Sequence, residues 1–133
     1  MTYKELLDAA RRARENAYAP YSHFKVGAAL LASSGAVYLG CNIENASFGA
    51  TICAERSAIA SAIAGGSRDF SAIAIIGGAE NADTAPCTPC GICRQVLSEF
   101  CDPDFPVILE NGDGTEKIVK LSELLPHSFH LSK

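Results

Sequence analysis

The sequence predicts an α/β fold: a three-layer α/β/α sandwich in which helices cover both faces of a five-stranded mixed sheet. Helical and strand patterns follow one another in the order α-β-β-α-β-α-β-β along 133 residues. Strands joined through helices are expected to run parallel, because such a crossover returns the chain in the same direction. A hairpin pattern near each end of the chain adds antiparallel strands.

A helix is predicted at the start of the chain, over residues 2–16. Its apolar residues recur at intervals of three and four, which places them on one helix face. These residues are Leu6, Leu7, Ala10 and Ala13 or Ala17. Thr2 can cap the first turn, with Glu5 at the reciprocal capping position. Pro20 follows and ends the helical pattern.

A β-hairpin is predicted next. Two short apolar stretches, residues 25–31 and 36–41, are separated by a Ser-Ser-Gly turn signal. The irregular polar stretch 42–49 then leads into a second helix, predicted over residues 53–64. This helix is rich in small apolar residues, and a pair of glycines ends it.

The second half of the chain continues the alternation. Residues 70–76 form an almost continuous apolar run, which is typical of a strand buried on both faces. A loop over residues 77–89 leads to a third helix over residues 90–101. An Asn-Gly-Asp-Gly sequence is a strong turn signal between two further strands. The remaining elements are strands at 106–109 and 117–121, one helical turn at 122–125 and a tail at 127–133.

Size and composition favour one domain over residues 1–133, since no repeat, linker or low-complexity segment divides the chain. Charged residues make up 20% of it, slightly below the usual share of about 25%. So low a charge favours a chain that buries further surface in an oligomer. The net charge of −4 provides no basic footprint, so no nucleic-acid partner is predicted.

The cysteines favour a metal site. The start of the chain does not have the pattern of a signal peptide, and no apolar run is long enough to cross a bilayer. A cytoplasmic location without a membrane partner is therefore predicted. In that setting, six cysteines that include Cys-x-x-Cys spacing indicate metal binding rather than disulfides.

Three of the cysteines, Cys53, Cys90 and Cys93, stand at two predicted helix starts. Thiolates bind zinc tetrahedrally, and a catalytic zinc keeps three protein ligands so that water can take the fourth position. Glu55 lies two residues after Cys53, where it can reach that water without being a ligand. Cys-x-Glu followed by Pro-Cys-x-x-Cys is the layout of the zinc deaminases. One zinc ion per chain is predicted, with Arg56 donating to a thiolate from the same helix face.

Cys87 leaves an alternative open. It forms a second, overlapping Cys-x-x-Cys pair with Cys90. A closed site of four thiolates would be a structural zinc with no position for water, and the chain would then be a non-catalytic zinc module. Cys87 precedes Pro89, however, and Pro89 can open the helix that carries the other two thiols. The remaining cysteines, Cys41 and Cys101, are interpreted as small apolar residues.

Four sequence blocks extend the pattern beyond the metal site. They read A-Y-A-P-Y-S-H-F-K-V-G-A-A-L at 17–30, C-N-I-E-N-A-S-F-G at 41–49, C-A-E-R at 53–56 and T-P-C-G-I-C-R-Q at 88–95. In these blocks, their order and their spacing, the chain resembles the cytidine deaminases of the homotetrameric, three-cysteine kind that act on free nucleosides. The resemblance runs almost from end to end.

The resemblance implies hydrolytic deamination of cytidine and deoxycytidine in pyrimidine salvage, with Glu55 carrying the protons. It implies that Phe24 packs on the pyrimidine and that Asn42 and Glu44 bind the ribose 3′-hydroxyl. It adds Ala54 to the substrate-binding residues. It also implies a homotetramer with shared active sites, in which Phe129 of the tail reaches a neighbour's site.

Other interpretations of these residues remain. The blasticidin-S-type deaminases share C-A-E and P-C-G-x-C but lack the block at 42–47 as it stands here. Asn42 can serve turn chemistry, Glu44 can be a solvated charge, and Phe129 can cover its own subunit. Phe48 stands where many relatives of the resembled family carry Tyr, so a hydrogen bond from that hydroxyl is absent.

Overall fold

The computed structural model describes all 133 residues, Met1–Lys133. The elements are α1 (Tyr3–Arg14), β1 (Phe24–Ala32), β2 (Val37–Cys41), α2 (Ala54–Ala64), β3 (Phe70–Ala79), α3 (Gly91–Phe100), β4 (Pro106–Glu110), β5 (Glu116–Lys120) and α4 (Leu121–Leu124). A single 3-10 turn, Phe48–Ala50, precedes α2. The order predicted from the sequence is confirmed. None of the helices has the length and apolar character needed to cross a membrane.

The five strands form one mixed sheet in the order β2-β1-β3-β4-β5. Only β3 and β4 are parallel neighbours, whereas the other three pairings are antiparallel. The crossover through α2 does not join neighbours, because β1 lies between β2 and β3. The predicted five-stranded mixed sheet is therefore confirmed, with a larger antiparallel share than the helix–strand alternation alone indicates.

β3 is longer than predicted. The expectation that a loop begins at residue 77 is wrong for the first three residues, because Gly77, Gly78 and Ala79 pair with the start of β1. Two adjacent glycines carry no strand signal, since glycine has low β propensity. Pairing with a long neighbouring strand overrides that preference, and it places Phe24 beside Ala79.

The core consists of two apolar layers, one on each face of the sheet. Successive strand residues point to opposite faces. On one side, α1 packs against the sheet through residues that include Leu6, Leu7, Ala10, Ala29 and Ile76. On the other, α2 and α3 pack through residues that include Ala58, Ile59, Leu97, Ile73 and Leu109. The three-layer α/β/α arrangement is therefore confirmed.

Two glycines let the helices approach the sheet closely. A Cβ atom at Gly27 would stand 2.1 Å from the carbonyl oxygen of Ala10 in α1. A Cβ atom at Gly40 would stand 2.3 Å from the carbonyl oxygen of Ala54, the first residue of α2. Only glycine fits such contacts without backbone displacement. Gly40 therefore fixes the height of the α2 N-terminus above the sheet.

The helix ends follow the predicted chemistry. In α1 the Glu5 amide donates to Thr2 Oγ1 over 3.1 Å, and the Thr2 amide donates to Glu5 Oε2 over 2.9 Å. This is the reciprocal capping box that the sequence predicts. The caps of α2 and α3 are different, because cysteines occupy both positions and neither side chain makes a capping hydrogen bond.

Candidate active site

The two cysteine caps bring three thiols together. Cys53 is the N-cap of α2, Cys90 is the N-cap of α3, and Cys93 lies in the first turn of α3. The Sγ atom of Cys90 is 3.5 Å from that of Cys53 and 3.2 Å from that of Cys93. All three sulfurs lie within 4.8 Å of one another, and no other group of three cysteine, histidine or acidic side chains does so. The predicted three-cysteine cluster is confirmed.

Both helix N-termini favour thiolate at this cluster, because the unpaired amides there carry partial positive charge. A hydrogen bond with the Cys93 thiol, followed by contacts with Arg56 and Cys90, lowers the pKa of Cys53 to about 5. The same contact with Cys53, together with burial, raises the pKa of Cys93. A divalent cation bound by all three sulfurs would have to displace the protons that remain.

Arg56 stands behind the cluster, where the sequence predicts it. Its Nη2 atom is 3.8 Å from Cys53 Sγ and 3.4 Å from the carbonyl oxygen of Thr51. Its Nε atom is buried and has no hydrogen-bond partner. The guanidinium therefore supplies positive charge beside the thiols, with one donor left free.

Glu55 lies in the first turn of α2 with only 4% of its surface exposed. Burial raises the pKa of its carboxyl group, and the negative charge of Cys53 acts in the same direction. A carboxyl group whose pKa is raised toward neutrality is suited to taking up and releasing a proton. The side chain lines the same cavity as Cys53 and Cys90.

The cavity has a volume of about 170 Å³. Two of the three cluster thiols and the catalytic candidate Glu55 line it together with several residues that the sequence does not single out. Its lining residues are Val26, Asn42, Thr51, Ile52, Cys53, Ala54, Glu55, Cys87, Thr88 and Cys90. The cavity adjoins a second, wider one of about 330 Å³, because Thr51 lines both. Hydroxyl and aliphatic residues such as Thr51, Thr88 and Val26 have no distinctive spacing, so sequence reasoning missed them.

Asn42 lines the inner cavity and also holds the start of β1. Its Oδ1 atom accepts from the Val26 amide and its Nδ2 atom donates to the Phe24 carbonyl oxygen, both over 2.9 Å. One Nδ2 proton and one lone pair remain beyond these bonds. Asn42 therefore lines the cavity and also has a structural role.

Glu44 lines the wider cavity beside Phe48. Its carboxylate accepts from the amides of Tyr21 and Ser22, over 3.0 and 3.1 Å, and from the Ser22 hydroxyl. The Ser22 hydroxyl, with the two amides, lowers the pKa of Glu44, so the group is a carboxylate at neutral pH. Glu44 therefore lines the wider cavity and not the cavity that Cys53 and Cys90 line.

Of the remaining substrate-binding candidates, one lines a cavity of its own chain and two do not. Ala54 is fully buried and lines the inner cavity. Phe24, at the start of β1, is exposed and lines neither cavity of its own chain. Phe129 lies in the C-terminal segment with 68% of its surface exposed, and it lines neither cavity. A single chain therefore does not bring Phe129 to its own thiol cluster.

Cys87 is not part of the thiol cluster. A Cβ atom at Gly77 would lie 2.6 Å from its Sγ atom, so the thiol rests directly on the backbone of β3. Burial raises the pKa of Cys87 to about 11, and the charges of Glu55 and Cys53 add to this. The position of the Cys87 sulfur outside the group formed by the Cys53, Cys90 and Cys93 sulfurs argues against the closed four-cysteine site.

Comparison with known proteins agrees with this geometry. Residues 1–109 match the family model described as cytidine and deoxycytidylate deaminase zinc-binding region. Cytidine deaminase of Sporosarcina psychrophila is 46% identical over 97% of this chain and 92% of its own length. That of Halalkalibacterium halodurans is 50% identical over 97% of this chain and 95% of its own.

The fold agrees as well. The crystal structure of cytidine deaminase from Burkholderia pseudomallei superposes on this chain with a TM-score of 0.88. The two sequences are 49% identical, and the match covers 97% of this chain and 100% of the other. The match to the zinc-binding region, the fold and the three-thiol cluster all indicate the same family. The chain belongs to the cytidine deaminase family and has its zinc-dependent deaminase activity.

Proposed function

We propose that this chain hydrolyses cytidine and deoxycytidine to uridine and deoxyuridine, releasing ammonia, with Glu55 as the group that moves the protons. The observation that carries this proposal is the buried Glu55 carboxyl group, whose raised pKa accompanies its position in one cavity with two of the three thiols. A place in pyrimidine salvage and in the cytoplasm stays a prediction.

The donor set fits zinc. Cys53, Cys90 and Cys93 would hold the ion, since three thiolates at two helix N-termini suit a tetrahedral site with one open position. The unpartnered Nε–H of Arg56 supports this, because fully charged thiolates are the acceptors that it lacks. When bound, zinc acts as a Lewis acid that lowers the pKa of water, so that hydroxide is available near neutral pH.

Glu55 accepts a proton from the attacking water and delivers it to N3 of the cytosine ring, which makes C4 more electrophilic. It then takes up the second proton of that water, from the hydroxyl now on C4, and passes it to the amino nitrogen. The C4–N bond breaks, ammonia leaves, and the C4 carbonyl group of the product forms. Burial serves both steps, because it raises the pKa of the carboxyl group and so makes its protonated form more accessible. Burial is the main cause of this raised pKa, and the adjacent Cys53 charge acts in the same direction.

The sugar is proposed to lie where the two cavities meet. Asn42 offers its free amide proton and Glu44 its remaining carboxylate lone pair to the ribose 3′-hydroxyl. Ala54 forms part of the wall around the base, and Phe24 covers the pyrimidine face. Free cytosine, which lacks the ribose, should then be a very poor substrate, and efficient turnover of free cytosine would argue against these roles.

A homotetramer with shared sites is the proposed assembly. Phe48 and Phe129 both expose most of their rings, and large exposed aromatics are typical of protein interfaces. The wider cavity beside Glu44 and Phe48 is open to one side, where a neighbouring chain can complete it. Phe129 is proposed to reach a neighbour's substrate, which accounts for its absence from the cavity of its own chain.

Turnover of cytidine followed by ultraviolet absorbance tests the proposal. The protein is assayed as purified, after treatment with a strong zinc chelator, and after zinc is returned. Activity should disappear with the chelator and come back with zinc, and deoxycytidine should behave in the same way. Activity unaffected by removal of all zinc, or turnover of blasticidin S in place of cytidine, would contradict it.

A further inference from the structure

The C-terminal segment, Leu125–Lys133, has no helix or strand. Packing within its own chain does little to hold it, since Phe129 and Leu131 are 68% and 73% exposed. A cavity of about 210 Å³ also lies between this segment and the body of the chain. The segment therefore needs other contacts to take up a defined position.

Those contacts come from α3. Arg94 Nη1 donates to the carbonyl oxygen of Leu124 over 2.7 Å, and Gln95 Nε2 donates to the carbonyl oxygen of Phe129 over 3.1 Å. Lys133 Nζ stands 3.0 Å from Glu99 Oε2 at the end of the segment. Arg94 and Gln95 directly follow the thiol residue Cys93 in the sequence.

Arg94 also contacts the metal-site turn. Its Nε atom donates over 2.7 Å to the carbonyl oxygen of Pro89, the residue before Cys90. Pro89 is fully buried, so this contact is anchored at its inner end. One planar guanidinium thus joins the turn that carries two thiols to the base of the C-terminal segment.

We propose that Arg94 and Gln95 are positioning residues that hold the C-terminal segment on the thiol-bearing helix and so set the position of the Phe129 ring. The inference rests on the proposed function, in which Phe129 acts at a neighbour's substrate. Arg94 fixes where the segment leaves α4, and Gln95 fixes the backbone of Phe129 itself. A ring held in this way loses less freedom when substrate binds, which improves binding without touching the proton transfer.

Gln95 gives the cleaner test, because its side chain is exposed and alanine is well tolerated in a helix. Gln95→Ala should raise the KM for cytidine about 2- to 10-fold, the range that one neutral hydrogen bond supports. The kcat should stay within about two-fold, and zinc content should stay that of the unaltered chain. Gln95→Lys, which keeps a donor of similar reach, should lie close to the original KM.

Phe129→Ala and the double variant complete the experiment. Phe129→Ala should raise KM at least as much as Gln95→Ala, and the double variant should be no worse than Phe129→Ala alone, because both changes act on one ring. Glu99→Ala is the matched control: it removes a contact between α3 and the segment beyond Phe129, and KM should not change.

Two failures can be told apart. If Phe129→Ala leaves KM unchanged, the shared site of the proposed function is wrong, and the positioning role falls with it. If Phe129→Ala raises KM while Gln95→Ala does not, or if the two effects multiply in the double variant, the shared site stands and the positioning role is overturned.

Discussion

Glu55 and Glu110 expose equally little surface, yet the pKa values of their carboxyl groups shift in opposite directions. Each exposes 4% of its surface. Glu55 lies beside the thiols at the start of α2, where burial raises the pKa of its carboxyl group. Burial also acts to raise the pKa of Glu110, at the end of β4, but the bonds from Arg11 and Thr84 outweigh it, so the pKa is lowered.

The difference shows that surface exposure alone does not decide what a buried carboxylate does, because the groups around it also shift its pKa. Glu110 has a cation and a hydroxyl that bind its charged form, so it is held as an anion. Glu55 has a negatively charged neighbour in Cys53, and the nearby Arg56 is directed at the sulfur. Glu55 therefore suits proton exchange, whereas Glu110 ties α1 and the loop before α3 to the sheet.

The largest expected effect comes from removing the thiols beside Glu55. Cys93→Ala should abolish both zinc binding and turnover, because Cys93 is the buried member of the cluster. Cys87→Ala should keep its zinc, since that thiol lies outside the cluster. Metal content per chain decides between them. A zinc-free Cys87→Ala protein would restore the four-cysteine interpretation.

At the other carboxylate, the expected effect is on stability. Arg11→Ala leaves the Glu110 carboxylate buried without its cation, which should lower the free energy of unfolding by about 1–3 kcal/mol. Denaturant titration measures this. Arg12→Ala, an exposed neighbour on the same helix, is the control and should change little. Equal stability of the two variants would show that the Arg11–Glu110 contact does not hold the fold.

The pH dependence of stability sharpens the contrast. The folded-state pKa of Glu110 lies below the unfolded value, which is about 4.3. Its carboxylate therefore stabilises the folded chain above that value, and this contribution is lost as pH falls through the lower folded pKa. Denaturant unfolding between about pH 3 and 6 should show a shallower acid loss for Glu110→Gln than for the unaltered chain. Identical slopes would contradict the lowered pKa.

A third carboxylate, that of Glu44, lies at an open cavity. Hydrogen bonds from the Ser22 hydroxyl and two amides keep it charged. Glu44→Gln should raise the KM for cytidine by about ten-fold, because an amide is a weaker acceptor for the sugar hydroxyl than a carboxylate. Its zinc content should not change. An unaltered KM would remove Glu44 from the substrate-binding residues.

The thiol site was predictable because its signal is local. Cys53 and Glu55 are two residues apart, Cys90 and Cys93 are three apart, and both pairs stand at helix starts that the hydrophobic pattern locates. The sheet was also predictable as a set of strands. Its neighbour order was not, since the placement of β1 between β2 and β3 depends on long-range pairing.

The Glu110 site could not be predicted in the same way. Arg11, Thr84 and Glu110 come from a helix, a loop and a strand end that are far apart in the sequence. The Gly77-Gly78 extension of β3 and the contact of Gln95 with Phe129 also join residues that are far apart in the sequence. Each depends on tertiary contacts between residues whose own patterns are those of a loop, a surface helix or a tail.

The most direct measurement compares Glu55→Gln with Glu110→Gln, assaying zinc content and cytidine turnover in the same preparations. Both variants should keep the zinc content of the unaltered chain, because neither residue is a ligand. Glu55→Gln should lose at least about 100-fold in kcat, since the amide cannot carry the proton, while Glu110→Gln should stay within several-fold. Near-normal turnover by Glu55→Gln, or an equal loss in both variants, would contradict the assignment of Glu55 as the proton carrier.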